Sequence, residues 1–278
     1  PLHNPAHLLG IEAVEKLLPH AKQVAVFDTA FHQTMPEHAY MYAIPVELYE
    51  KYDIRRYGFH GTSHKFVARK GCELTGLDFN KAKVITCHLG NGSSITAVKE
   101  GKSIDTSMGF TPLEGLVMGT RAGNIDPSIV TFLQEQEGWT ASQTDDFLNK
   151  KCGLLGLYGP SSDCRDIENA VKQGNKRAIL AQHVFAYRVL KYIGSYTAAM
   201  NGVDLIVFTG GIGENDDAVR EVIGSRLGFL GVNFDSEKNK QVHGEDAILS
   251  TNSTHTKIAV ISTDEELMIA IDTFNLMN

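Results

Sequence analysis

Along this chain, short apolar runs bounded by glycine alternate with stretches of helical spacing. Ile11, Val14, Leu17 and Leu18 recur at helical intervals up to Pro19. Gln23-Val24-Ala25-Val26-Phe27 then reads as a strand that ends on Asp28. Lys65 to Leu74 returns to a helical pattern, with Ser63 as its N-cap. From Lys83 to Met108, the runs Val84-Ile85-Thr86, Ser94 to Val98 and Ser103 to Thr106 are separated by turn residues and predict antiparallel strands. Helices are expected from Asp126-Pro127 to Gln134, over 141–151, and across Ile167 to Met200 with a break at Gly174-Asn175. Gly153 to Asp163 reads as turns. Asp204 to Thr209 and Lys257 to Ser262 are apolar strands, each followed by a helix, Asp217 to Leu227 and Glu265 to Phe274. The order implies an α/β fold, and no fixed-period repeat supports a solenoid.

Composition narrows the function. A chain of 278 residues that is 42% hydrophobic, 21% charged and holds only 8 prolines is a folded one, long enough for one large or two ordinary domains. Its net charge of -7 gives no general attraction to nucleic acid or an anionic membrane, so any bound anion needs a local site. Cys72, Cys87, Cys152 and Cys164 form no CxxC pair and no metal-finger spacing, which fits buried thiols in a reducing compartment. No membrane span or leader is apparent, and a soluble, cytoplasmic protein is expected.

Several stretches carry chemistry. In His88-Leu89-Gly90-Asn91-Gly92-Ser93-Ser94, Gly90 and Gly92 can turn backbone N–H groups onto an anion, with Asn91, Ser93 and Ser94 as added donors. The same sequence also suits a plain tight turn. Gly210-Gly211-Ile212-Gly213-Glu214-Asn215 joins a strand to a helix as in nucleotide sites, although it fits neither GxGxxG nor a P-loop. Arg121 lies in a long Gly- and Pro-rich loop, 109–127, where its guanidinium could fork onto phosphate oxygens. Asp28 occupies the carboxyl end of an expected strand, where catalytic acids of open sheets sit. His60 and His64 share a helical spacing, but Gly61 between them and the absent zincin Glu argue against a metal pair; His60 is expected in an exposed loop. These are the parts of a phosphoryl-transfer site.

Seven collinear blocks give the chain a specific resemblance: His3-Asn4-Pro5, Val26 to Pro36, Arg55 to His64, His88 to Ser94, Asp105 to Arg121, Phe208 to Asn215, and Glu265-Glu266. It resembles the acetate kinase (acetokinase) family of the acetate and sugar kinase, heat-shock protein and actin superfamily. The resemblance implies a ribonuclease H-like, actin-like ATPase domain of mixed sheet flanked by helices over 33–264, with the remnant of a second such domain at 1–32 and 265–278. It implies reversible transfer of phosphate from ATP to acetate, giving ADP and acetyl phosphate, in a homodimer. Asp28 would be the catalytic carboxylate, His60 and Arg121 would stabilise the transferring group, and His3 would assist. His88, Leu89, Gly90, Asn91 and Gly92, with Gly211, Ile212, Gly213, Glu214 and Asn215, would hold ATP, and Asp163, Cys164 and Arg165 would lie near the nucleotide. Glu265 would bind Mg²⁺ through water.

Asn124 and Asp264 stand where the family pattern has Asp and Asn, changes confined to local hydrogen bonding. The family pattern also begins with a segment carrying a phosphate motif and a carboxylate-binding Arg; on that ground this chain, which opens on Pro1, is expected to be truncated and inactive, and to cover its exposed remnant by dimerising. Propionate or butyrate kinase is the alternative within the class, and a non-catalytic ATP-binding module the alternative outside it.

Overall fold

In the computed structural model, which describes residues 4–251 and 254–277, six strands form one mixed sheet. They are β1 (Lys83–Leu89), β2 (Ser93–Lys99), β3 (Lys102–Thr106), β4 (Leu205–Thr209), β5 (Ala247–Ile248) and β6 (Lys257–Val260), in the spatial order β3-β2-β1-β4-β6-β5. β1 pairs antiparallel with β2 and parallel with β4; β4 continues parallel to β6, and β3 and β5 close the two edges antiparallel. Around the sheet lie α1 (Asn4–Leu17), α2 (Glu37–Tyr40), α3 (Val46–Tyr52), α4 (Gly61–Thr75), α5 (Ser128–Glu137), α6 (Ala141–Lys150), α7 (Gly153–Tyr158), α8 (Cys164–Lys172), α9 (Lys176–Met200), α10 (Gly210–Asn215), α11 (Asp217–Gly224), α12 (Ser236–Asn239) and α13 (Glu265–Met277).

The central strands are apolar on both faces because helices cover both. Alternation sends Ile85, Cys87, Leu89, Ile206, Phe208 and Val260 into a core shared with α9 and its neighbours, while Val84, Leu205, Val207, Ala259 and Ile261 face α4 and α13. The mixed sheet with helices on each side is the actin-like ATPase architecture expected above.

Three expectations of local structure change. Val24 to Phe27 is not a strand: 21–27 runs without regular structure, since no described strand lies beside it to take up its backbone groups. Gly153 to Asp163 holds a helical segment, α7, whose first amides, Leu154 and Leu155, donate to the carbonyls of Met118 and Gly119. The glycine-rich Gly210–Asn215 is not an open turn but the short helix α10, closed by Glu214, whose Oε1 accepts from the Gly210 N–H at 2.9 Å. α1 forms as its spacing predicts, with Leu8, Leu9 and Leu17 exposed.

Candidate active site

Because β1 and β4 are parallel neighbours, with His88 opposite Thr209, the turn after β1 and the start of α10 emerge at the same sheet edge. They touch: a Cβ on Gly210 would lie 2.7 Å from the Leu89 carbonyl oxygen, a contact that only glycine permits. A cavity of about 790 Å³ opens there. Gly90 and Asn91 line it on one side, Gly211, Ile212 and Asn215 on another, and Asp163, Cys164 and Arg165 at a third. These eight of the expected nucleotide residues therefore share one space. His88, Leu89, Gly92, Gly213 and Glu214 do not line it. Leu89 is fully buried, and Glu214 Oε1 also accepts from the Thr209 hydroxyl and the Thr263 N–H, so both serve the walls. Gly119, Leu154, Ser161, Ser162, Glu168 and Asp216 complete the lining; they lay in stretches that the sequence marked only as loop or helix.

Beside the cavity three of the expected catalytic residues converge. Asp28 Oδ2 accepts the backbone N–H of His60 at 2.7 Å, and the Asp28 carbonyl accepts that of Gly61 at 2.8 Å. His60 is the N-cap of α4 and holds the left-handed conformation at φ 55°, a strained backbone for a residue with a Cβ. A Cβ on Gly92 would sit 3.3 Å from His60 Nε2 and 3.4 Å from Arg121 Nη2, so both nitrogens border the same small space over the turn. Arg121 Nη1 donates to the Pro112 carbonyl at 2.9 Å and touches the Met118 sulfur; neither is an anion. Burial pushes the Arg121 guanidinium down from its ordinary value, as expected of a cation held without a counter-charge. Arg56 fastens the loop that carries it: Nη1 donates to the carbonyls of Thr106, Ser107 and Met108, and Nη2 to Glu114 at 2.7 Å.

The imidazoles here are neutral. Burial first, then the Arg121 charge, lowers His60 to about 4, and burial lowers His88 to about 3. The two rings stack with centroids 4.3 Å apart. His60 is thus a partly buried N-cap and not the exposed loop residue expected. Ser63 is no N-cap either: the helix starts two residues earlier, and Ser63 Oγ bonds to His88 Nδ1 and Thr263 Oγ1, each at 2.8 Å. Ser93 and Ser94, expected to face an anion, are fully buried; Ser93 Oγ braces the turn through Gly90. His64 is also buried, bonded to Thr86 and Ser94, and among the described residues no cluster of three His, Cys, Asp or Glu could hold a metal.

Glu265, at the start of α13, is half-buried, and its carboxyl is raised by burial and by the Asp28 charge. Two mutually repelling carboxylates, with no third protein ligand among the described residues, suit a cation that takes its other ligands from phosphate and water. His3 lies outside the described residues. Asn124 accepts from the Gly115 N–H and donates to the Tyr192 hydroxyl, both at 2.8 Å, and Asp264 caps α13 through the Leu267 N–H; each departure from the family pattern finds local partners.

A mixed sheet with a glycine-lined nucleotide-sized cavity, and beside it an arginine that bonds to no anion among the described residues, fits a phosphotransferase of the actin-like ATPase superfamily. The profile described as the Acetokinase family matches residues 1–271. The acetate kinases of Carboxydothermus hydrogenoformans and Thermoanaerobacter pseudethanolicus are each 63% identical to it, over all of this chain and 69% of theirs. The crystal structure of Porphyromonas gingivalis acetate kinase superposes with a TM-score of 0.98 at 52% identity, covering all of this chain and 70% of that one. That of a propionate kinase from Francisella tularensis gives 0.89 at 50% identity, covering 97% of this chain and 68% of that one. The chain belongs to the acetokinase family, whose named acetate kinases are ATP:acetate phosphotransferases. Among its described residues no helix is long and apolar enough to cross a membrane.

Proposed function

We propose that this chain carries the reversible transfer of a phosphoryl group from Mg²⁺-bound ATP to acetate. The observation that supports it is the convergence of His60 and Arg121 on the space over Gly92, one residue from the cavity-lining Asn91, with Asp28 bonded to the His60 backbone N–H. ATP would occupy the cavity with its phosphates over the turn at Gly90 to Gly92. Arg121 would fork onto the oxygens of the transferring group, and His60 Nε2 would donate to one of them. An acetate oxygen would attack the γ-phosphorus in line as the bond to the ADP oxygen breaks, with Asp28 orienting the acceptor side. Glu265 and Asp28 would hold Mg²⁺, partly through water; the ion supplies charge neutralisation on the phosphates. His3 is assigned an assisting role on the family pattern alone.

Residues 33–264 form the nucleotide-binding domain in this reading, with 1–32 and 265–278 belonging to a second. A homodimer in the cytoplasm is part of the same proposal, and exposed apolar side chains such as Leu9, Leu17 and Phe274 give a reason to bury surface. Light scattering tests the dimer.

The decisive experiment is ADP release with ATP, Mg²⁺ and each of acetate, propionate and butyrate, alongside nucleotide titration. Acetate-dependent release supports the proposal. Faster turnover with propionate moves the assignment to the activity named for the Francisella relative. ATP binding with release at background gives instead a non-catalytic nucleotide binder.

A further inference from the structure

Four side chains behind the candidate site form an unbranched file. Thr86 Oγ1 lies 2.7 Å from His64 Nδ1, His64 Nε2 lies 2.7 Å from Ser94 Oγ, and Ser94 Oγ lies 2.8 Å from His60 Nδ1. Thr86, His64 and Ser94 are fully buried, so each proton in the file needs an acceptor inside it. A second N–H on either ring would leave the buried hydroxyl proton of Thr86 or Ser94 without an acceptor, so each ring carries one N–H and one lone pair.

The protons can then be counted. Thr86 Oγ1 has no second hydrogen-bond partner among the described residues. If His60 carried its proton on Nδ1, it would donate to Ser94, Ser94 to His64 Nε2, and His64 Nδ1–H to Thr86, leaving the Thr86 hydroxyl proton buried without an acceptor. If both rings donated to Ser94, the Ser94 proton would be stranded in the same way. One arrangement uses every proton: Thr86 donates to His64 Nδ1, His64 Nε2–H to Ser94, Ser94 to His60 Nδ1. His60 Nε2 is then the N–H, on the side of Gly92 and Arg121.

We propose that Thr86, His64 and Ser94 are positioning residues that fix His60 in the Nε2–H tautomer, presenting a neutral hydrogen-bond donor to an oxygen of the group transferred over Gly92. The direction is set from the Thr86 end, the most remote from the site. His88, stacked on His60, holds the ring plane but makes no bond to it, so the tautomer depends on Ser94 alone among its neighbours. The proposal rests on the reading of His60 as a phosphoryl ligand for its purpose, though not for the tautomer itself.

Long-range ¹H–¹⁵N correlation of ¹⁵N-histidine-labelled protein reports each ring's tautomer directly, with His60→Ala and His64→Ala spectra assigning the signals. The expected spectrum has His60 and His64 both protonated on Nε2 only. In Ser94→Ala, His60 should become a mixture of tautomers and kcat should fall about tenfold to a hundredfold, with KM for ATP unchanged. Ser94→Thr restores the hydroxyl and should recover both. Thr86→Val, which leaves Ser94 in place should the first variant misfold, should mix the His64 tautomers and, through Ser94, those of His60. Protonation of His60 on Nδ1 in the unaltered protein overturns the proposal, as does a fall in kcat in Ser94→Ala with the tautomer unchanged. Full activity in His60→Ala would overturn the role of His60 in transfer while leaving the tautomer result standing.

Discussion

Asp28 and His60, 32 residues apart, are joined by a hydrogen bond from the His60 backbone N–H to the Asp28 carboxylate at 2.7 Å, so the acidic and imidazole sides of the candidate site are set by one contact. The left-handed backbone of His60 aims that N–H at Asp28 while the ring turns toward Ser94 and Gly92. Strain at one residue thus places two functional groups.

Arg121 is the permanent cation of this arrangement and touches no carboxylate through the bonds it makes. Arg121→Ala should lower kcat by about a thousandfold or more, the range found when an arginine is withdrawn from a phosphoryl transition state. Arg121→Lys should recover little, because an ammonium cannot reproduce the planar fork. ATP affinity should change much less, since Arg121 does not line the cavity. Initial rates paired with calorimetric titration of nucleotide check both halves.

Glu265 carries the metal prediction. With its carboxyl raised by burial and by Asp28, removing its charge lowers the attraction for a divalent cation. Glu265→Gln should therefore raise the Mg²⁺ concentration needed for half-maximal activity by about tenfold to a hundredfold, as when a partner in a metal's outer sphere is lost. Metal-free nucleotide binding should be unaltered. An unchanged Mg²⁺ dependence would remove Glu265 from the metal site.

The buried histidines make stability depend on pH in a definite direction. His32, bonded to Ser103 and the Phe59 carbonyl, is lowered to about 4, as is His60, and His88 to about 3, all chiefly by burial. Below the ordinary imidazole value near 6.5 the unfolded chain takes up protons that these folded sites refuse. Stability should be fully present above that value and fall as pH drops from about 6.5 toward 4. Urea midpoints at pH 7.5 and pH 5 test this, with a lower midpoint expected at pH 5. Since His60 stays neutral, kcat should show no limb from it between pH 6 and 8.

The chemistry of the site was more legible than its geometry. Gly210 marks the junction of β4 and α10 because the close approach of its backbone to Leu89 has few other solutions, and the central strands declare themselves by uninterrupted apolar runs. Asp28 was found as a carboxylate near the site but for a strand that does not form, since four apolar residues cannot reveal whether a partner strand lies beside them. β5 has two residues and no periodicity to read. Ser94 and Thr86 were invisible as partners of His64 because their spacing is that of any strand; only the sheet brings residues 60, 64, 86 and 94 into one file. Ser63 illustrates the opposite error: a good capping residue placed close to a helix start, whose hydroxyl is claimed by His88 and Thr263 instead.

Gly61 gives the sharpest steric test. A Cβ there would lie 2.3 Å from the Asp28 carbonyl oxygen and 3.3 Å from Phe31 Cβ, too close for either backbone to remain in place. Gly61 is in the first turn of α4 with a helical backbone, so alanine is acceptable to the helix itself and the cost must come from the clash. Gly61→Ala should lower stability by about 1–3 kcal/mol, as overpacking does, and should push Asp28 away from the His60 N–H. The cavity is lined by none of these residues, so ATP affinity should be retained while kcat falls. Thermal unfolding, nucleotide titration and turnover on the same preparation separate these effects. Loss of nucleotide binding in proportion to turnover would mean that the Asp28–Gly61 contact supports the whole domain and not the placement of one carboxylate.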